Sequence, residues 1–141
     1  FMPFSGNKWD MSKIVSYQNV LDAIGKEFSF SKLPGALEDT AHHFQVEGAQ
    51  GTFGIMGPVT HPFCAGCNRI RLTSDGKLKN CLFDTTEVDL LTPLRNGEDV
   101  RKLIYDHFNK KHFAHGGHVE FTEKQAQEEY SQNRRMIAIG G

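Results

Sequence analysis

The chain has 141 residues, 38% of them hydrophobic, with 16 Lys and Arg against 17 Asp and Glu and a formal net charge of −1, the composition of an ordinary globular domain. Near-neutral charge excludes a polycationic binder of nucleic acid or membrane. The longest stretch without Asp, Glu, Lys or Arg, Gly48–Asn68, is broken by glycines, prolines and a histidine and cannot cross a bilayer as a helix. Because it starts at Phe1 and not at an initiator Met, the chain is expected to be a piece of something longer.

In chain order, Phe1–Trp9 reads as the end of a strand and a loop, interrupted at Pro3 and Gly6. Ser16 is placed to cap a helix whose Val20, Leu21, Ile24 and Phe28 fall on one apolar stripe. Pro34 and Gly35 mark a loop, and His43–Glu47 and Thr52–Met56 read as short strands around Gly48 and Gly51. Asn68–Thr73 and Lys77–Phe83 read as a hairpin around Ser74-Asp75-Gly76. Thr92-Pro93 has the form of a cap followed by a first helical residue. A longer helix over Glu98–Lys110 would carry Val100, Leu103, Ile104 and Phe108 on one face. A loop at His115–His118 and a tail from Arg134 to Gly141 complete the chain. The order predicts an α+β fold, a small antiparallel sheet with flanking helices. Trp9, Phe28, Phe44, Phe53 and Phe108 are read as core, and His42, His43, His115 and His118 as loop or surface residues.

The cysteines are the most informative residues. Cys64, Cys67 and Cys81 are odd in number and spaced C-x2-C-x13-C, which argues against a disulfide framework and for a metal in a reducing, cytoplasmic setting. Side chains alternate along a strand, so Cys67, Arg69 and Arg71 share a face. A two-residue Asp75-Gly76 turn would pair Ile70 with Cys81 and mix charge with hydrocarbon on both faces. A three-residue turn with Gly76 left-handed pairs Leu72 with Leu78, Arg71 with Lys79 and Arg69 with Cys81. Patterning selects the second register. Thiols and cations would then converge, with Lys77 and Lys79 serving either the substrate or the solubility of an edge strand. Positive charge favours the metal-binding thiolate and suits phosphate. Two metals fit: zinc, with His61 as a fourth ligand, or a [4Fe–4S] cluster with one iron left open. The lack of a second C-x2-C pair favours the cluster. A zinc-stabilised nucleic-acid-binding module and a small electron carrier remain alternatives at this point.

The segments MPFSGNKW, GPVTHPFCAGCNRIRLTSDGKLKNCLF and the closing IGG resemble the C-terminal region of the GTP 3',8-cyclases, the radical S-adenosylmethionine family of molybdenum cofactor biosynthesis. The resemblance implies the C-terminal part of an incomplete α/β barrel. Residues 1–10 would end the last barrel strand and its loop, and 11–141 would form the iron–sulfur and GTP-binding domain. It implies that Cys64, Cys67 and Cys81 hold a second [4Fe–4S] cluster and that Arg69, Ile70 and Arg71 bind GTP. Met2 would contact S-adenosylmethionine, and Gly140 and Gly141 would form a catalytic tail.

The implied reaction converts GTP to (8S)-3',8-cyclo-7,8-dihydroguanosine 5'-triphosphate, the substrate of cyclic pyranopterin monophosphate synthase, with no nucleic acid or membrane involved. The C-x3-C-x2-C motif for the first cluster is missing from this chain, so the piece alone is not expected to be active. A homodimer is expected, since an uncovered barrel-facing surface invites a partner.

Overall fold

Helix α1 (Tyr17–Gly25) begins at Ser16, where the sequence places its cap. The Asn19 N–H donates to Ser16 Oγ at 3.0 Å and the Ser16 N–H donates to Asn19 Oδ1 at 3.2 Å. Two donors beyond the reach of any helical carbonyl are thereby satisfied together. The structure, a computed structural model, describes residues 11–117 and 132–139. The strand end expected over Phe1–Trp9, together with Met2, His118, Gly140 and Gly141, lies outside the described residues. Two compact units divide the chain, Ser12–Cys67 and the residues from Asn68 onward.

In the first unit, β1 (Phe30–Lys32), β2 (His42–Val46) and β3 (Thr52–Ile55) form an antiparallel sheet in that order. The second and third strands match the expected pair to within a residue; the first was not foreseen. Phe44 pairs with Phe53, and Phe30 with Val46, so the three phenylalanines share a face. Their rings meet edge-on at 5.5 and 5.4 Å and stacked at 5.1 Å, geometries that add to plain burial. Phe44 is buried, whereas Phe28 lies past the end of α1 and is exposed, so it is not a core residue. Gln45 Nε2 donates to the carbonyls of Ala49 and Gly51, at 2.7 and 3.1 Å, and closes the β2–β3 loop.

The second unit holds β4 (Arg71–Leu72), β5 (Lys77–Lys79), β6 (Val88–Asp89), α2 (Leu91–Arg95) and α3 (Arg101–Phe108). Arg71 pairs with Lys79 and Leu72 with Leu78, the register that patterning selects. A third strand alters its meaning. β6 pairs with β5 through Leu78↔Val88 and Lys77↔Asp89, so β5 is the middle strand and its lysines guard no edge. The expected apolar face is only half buried, with Leu78 4% exposed and Leu72 61%.

Gly76 makes the turn, with φ +77°. Its carbonyl accepts the N–H groups of Leu90 and Leu91 at 3.0 and 3.1 Å, and a Cβ there would collide with the Leu91 side chain. Gly76→Ala is therefore expected to destabilise this unit by about 1–2 kcal/mol from the left-handed backbone alone, and by more from the collision. A urea titration that left the midpoint unchanged would contradict this turn.

α2 starts before the expected Thr92-Pro93. The cap is Leu90, two residues earlier, and the Asp89 carboxylate before it accepts from the N–H of Leu91 at 2.9 Å and of Thr92 at 3.2 Å. Pro93 then occupies the third helical position, where its missing N–H costs nothing. α3 likewise begins at Arg101 and not Glu98, its N–H bonded to Asp99 Oδ1 at 2.9 Å. Phe108, expected to be core, and Leu103, on the same expected apolar face, remain exposed. Among the described residues no helix is long and apolar enough to cross a membrane.

Candidate functional site

Cys64 and Cys67 sit on one 3-10 turn, Cys64–Gly66, in the first unit, with the Cys67 N–H bonded to the Cys64 carbonyl at 3.1 Å. A side chain at Gly66 would strike the Leu37 backbone carbonyl and side chain, so the turn lies tight against Leu37 and only glycine fits there. The segment leading into it is also anchored. Thr60 Oγ1 accepts the Tyr17 N–H at 2.9 Å, and the His61 N–H donates to the Gly57 carbonyl at 2.7 Å. The His61 ring stacks on Tyr17 at 4.3 Å and meets the His42 ring edge-on at 4.8 Å. Tyr17 Oη is 3.0 Å from His42 Nδ1. His42, expected at the surface, is thus half-buried in a Tyr–His–His stack. Burial first, then the neighbouring charges of Lys32 and His61, holds its imidazole below the usual value.

In the second unit, Arg69 and Arg71 are half-buried and Ile70 is exposed between them. Strand pairing stops at Arg71↔Lys79. One step further on, Lys111 Nζ donates to the carbonyls of both Arg69 and Asn80, at 2.7 and 2.6 Å. A side chain from beyond α3 thereby holds the two chains together where the ladder ends. Nothing local in the sequence announces Lys111.

Cys81 follows on a turn closed by the Asp84 N–H on the Cys81 carbonyl at 3.3 Å. The Leu82 carbonyl accepts from Asn133 Nδ2 at 2.9 Å, and the Asp84 carbonyl accepts from Lys79 Nζ. Phe83 is buried at 4% exposure. Lys79 is the main departure from the sequence reading. It is 0% exposed, bonded to the Asp84 carbonyl and 4.0 Å from Glu87, and so it faces no phosphate. Burial pushes its ammonium pKa down, while Glu87 and Asp84 oppose the shift.

Arg134 is a second residue that the sequence reading did not single out. Nε and Nη2 donate to the two Glu87 carboxylate oxygens at 2.6 and 2.7 Å, and Nη2 also donates to Asp75 Oδ2 at 2.8 Å. The bonds from Arg134 and from Thr73 Oγ1 bring the Asp75 pKa down to about 2.

The profile of the family described as Molybdenum Cofactor Synthesis C matches residues 1–117. The chain belongs to that family. It is 39% identical over 145 residues to the mitochondrial GTP 3',8-cyclase of Arabidopsis thaliana, covering 100% of this chain and 35% of that protein. It is 38% identical over 144 residues to molybdenum cofactor biosynthesis protein 1 of Mus musculus, covering 99% of the chain and 22% of the relative. With the GTP 3',8-cyclase of Aquifex aeolicus it shares 38% over 135 residues, 96% of the chain and 39% of the relative. The chain therefore spans well under half the length of these relatives.

For this family member, the donors suit the iron–sulfur cluster that the motif implies. All three cysteines are thiols outside any disulfide and are partly exposed, and two share one turn. Soft thiolates are the ligands such clusters take. Cys64 and Cys67 belong to the first unit and Cys81 to the second. Among the described residues no group of three or more His, Cys, Asp or Glu side chains is gathered to hold a metal ion, so the fit rests on donor chemistry and on the local turns.

Proposed function

We propose that this chain is the part of a GTP 3',8-cyclase that holds a substrate-binding [4Fe–4S] cluster and GTP, with residues 11–141 as that domain and 1–10 as the end of a barrel strand. Cys64, Cys67 and Cys81 would ligate the cluster, which when bound offers one iron to a ligand atom of the nucleotide. The guanidinium groups of Arg69 and Arg71, flanking Ile70, would take the triphosphate through charge-assisted, bidentate bonds. Met2 would contact S-adenosylmethionine, and Gly140 and Gly141, having no Cβ, would let backbone come close to the reactants. The rest of the longer protein would supply the first cluster. The whole would act as a dimer in a reducing, cytoplasmic compartment and pass its product to cyclic pyranopterin monophosphate synthase.

The observation that carries this reading is the hairpin register. With Arg71 opposite Lys79, the Arg69–Arg71 segment runs beside the stretch that leads to Cys81. With Lys79 buried, the partly exposed cations of the hairpin are Arg69, Arg71 and Lys77, and the two arginines are the pair on the segment beside Cys81. Arg69→Ala and Arg71→Ala are each expected to weaken GTP binding by about 1.5–3 kcal/mol, more than about tenfold in Kd, by calorimetry on the anaerobic full-length protein. Unchanged affinity in both variants would remove them from the substrate site.

A further inference from the structure

The β4–β5 ladder ends at Arg71↔Lys79, yet the two segments beyond it stay joined. Lys111 Nζ donates to the Arg69 carbonyl at 2.7 Å and to the Asn80 carbonyl at 2.6 Å, so the two oxygens stand no farther apart than those bonds laid end to end. An ammonium carries three donors and serves acceptors lying in different directions. The lysine is itself anchored. It follows the end of α3, where its own N–H bonds the Phe108 carbonyl at 3.0 Å. Asn80, 1% exposed, returns the contact by donating from Nδ2 to the carbonyl of His107 in the last turn of that helix. Both segments are thus referred to one fixed point, the end of α3.

Arg69 is one of the two arginines assigned to the triphosphate, and Asn80 is the residue before Cys81. We propose that Lys111 is a positioning residue, setting the spacing between the Arg69 segment and the Asn80–Cys81 segment so that one nucleotide meets the phosphate-binding guanidinium groups and the open iron together. The proposal rests on the proposed function, in which those residues hold GTP and the cluster. Lys111 acts through the two carbonyls and not by contact with GTP. A ligand that bridges two subsites gains the second contact as an intramolecular event only when their spacing matches its own length. A small misplacement forfeits much of that gain. Loss of the ammonium should therefore weaken GTP, which spans both subsites, and spare a ligand that fills one of them.

The test uses Lys111→Met in the full-length, anaerobic protein at about 0.15 M salt, with GTP and inorganic triphosphate as probes in calorimetry. Expected are a GTP Kd raised about tenfold or more and an inorganic triphosphate Kd within about twofold of wild type. Iron content should not change, because the Cys81 turn keeps its closing bond from the Asp84 N–H. Lys111→Arg, which retains the charge and several donors, should return GTP to within about threefold of wild type. Lys111→Gln, whose amide serves one carbonyl, should fall between, and it carries the test if Lys111→Met does not fold. A GTP Kd unchanged in Lys111→Met and Lys111→Gln overturns the proposal. So does an equal loss for GTP and inorganic triphosphate, which would make the ammonium a phosphate contact, and so does a loss of iron, which would make it a support of the cluster. The underlying reading fails differently. If Arg69→Ala and Arg71→Ala bind inorganic triphosphate as tightly as wild type, the arginines are not the phosphate site, and the positioning role falls with that assignment. If they bind it more weakly while Lys111→Met binds GTP normally, only the positioning role fails.

Discussion

Full-length protein carrying Cys81→Ser, purified without oxygen, should contain about four fewer irons per chain than the wild type, one cluster's complement. Serine nearly preserves the volume of a half-buried cysteine, so the fold should survive and circular dichroism should not change. It offers a neutral hydroxyl, however, where iron takes a soft thiolate. Cys64→Ser and Cys67→Ser should give the same deficit, because each removes one of three donors. His61→Ala should retain the iron, because in this structure the imidazole is occupied in a stack on Tyr17 at 4.3 Å. Metal and sulfide quantitation decides the matter. One zinc per chain, lost equally on changing His61 or any of the cysteines, would mean a closed tetrahedral site and would end the case for a substrate-binding cluster.

Lys79→Ala should cost the second unit about 3–5 kcal/mol of stability, read from urea unfolding. The side chain is wholly enclosed, donates to the Asp84 carbonyl and lies 4.0 Å from Glu87. Truncation removes a charge-assisted bond, leaves a buried carbonyl without its donor, and opens a cavity as long as the lysine stem. Lys79→Met fills the cavity but not the polar need. Its cost should be smaller, about 1–2 kcal/mol, because Glu87 keeps both bonds to Arg134. Equal and slight effects of both substitutions would show that the lysine does not support the Cys81 turn.

The parts of this fold that are legible in sequence are those whose signal is local. Ser16 announces α1 because its cap partner, Asn19, is three residues away. The hairpin register follows from alternating charge and hydrocarbon together with a glycine able to turn left-handed, and Arg71↔Lys79 is the pairing found. The family is readable for the same reason, since a motif is a short-range pattern. β1 and β6 were not readable, because three and two residues are too few to show a period. Without β6, β5 looks like an edge, and a lysine in it looks solvated. Lys111, Asn133 and Arg134 act on backbone or carboxylates far along the chain, over 31 to 51 residues for the Lys111–Asn80 and Asn133–Leu82 bonds. Contacts of that span leave no trace in spacing.

The Lys111 contact changes how the hairpin can behave. A ladder opens only by surrendering its bonds in sequence, but here the mouth of the hairpin is latched by one ammonium on two carbonyls. Neutralising that nitrogen, as acylation does, would unfasten the end bearing Arg69 and Cys81 while the sheet behind it kept its pairing. The spread between the segment of Arg69 and that of Asn80 would thus depend on a single charge, separately from the stability of the sheet.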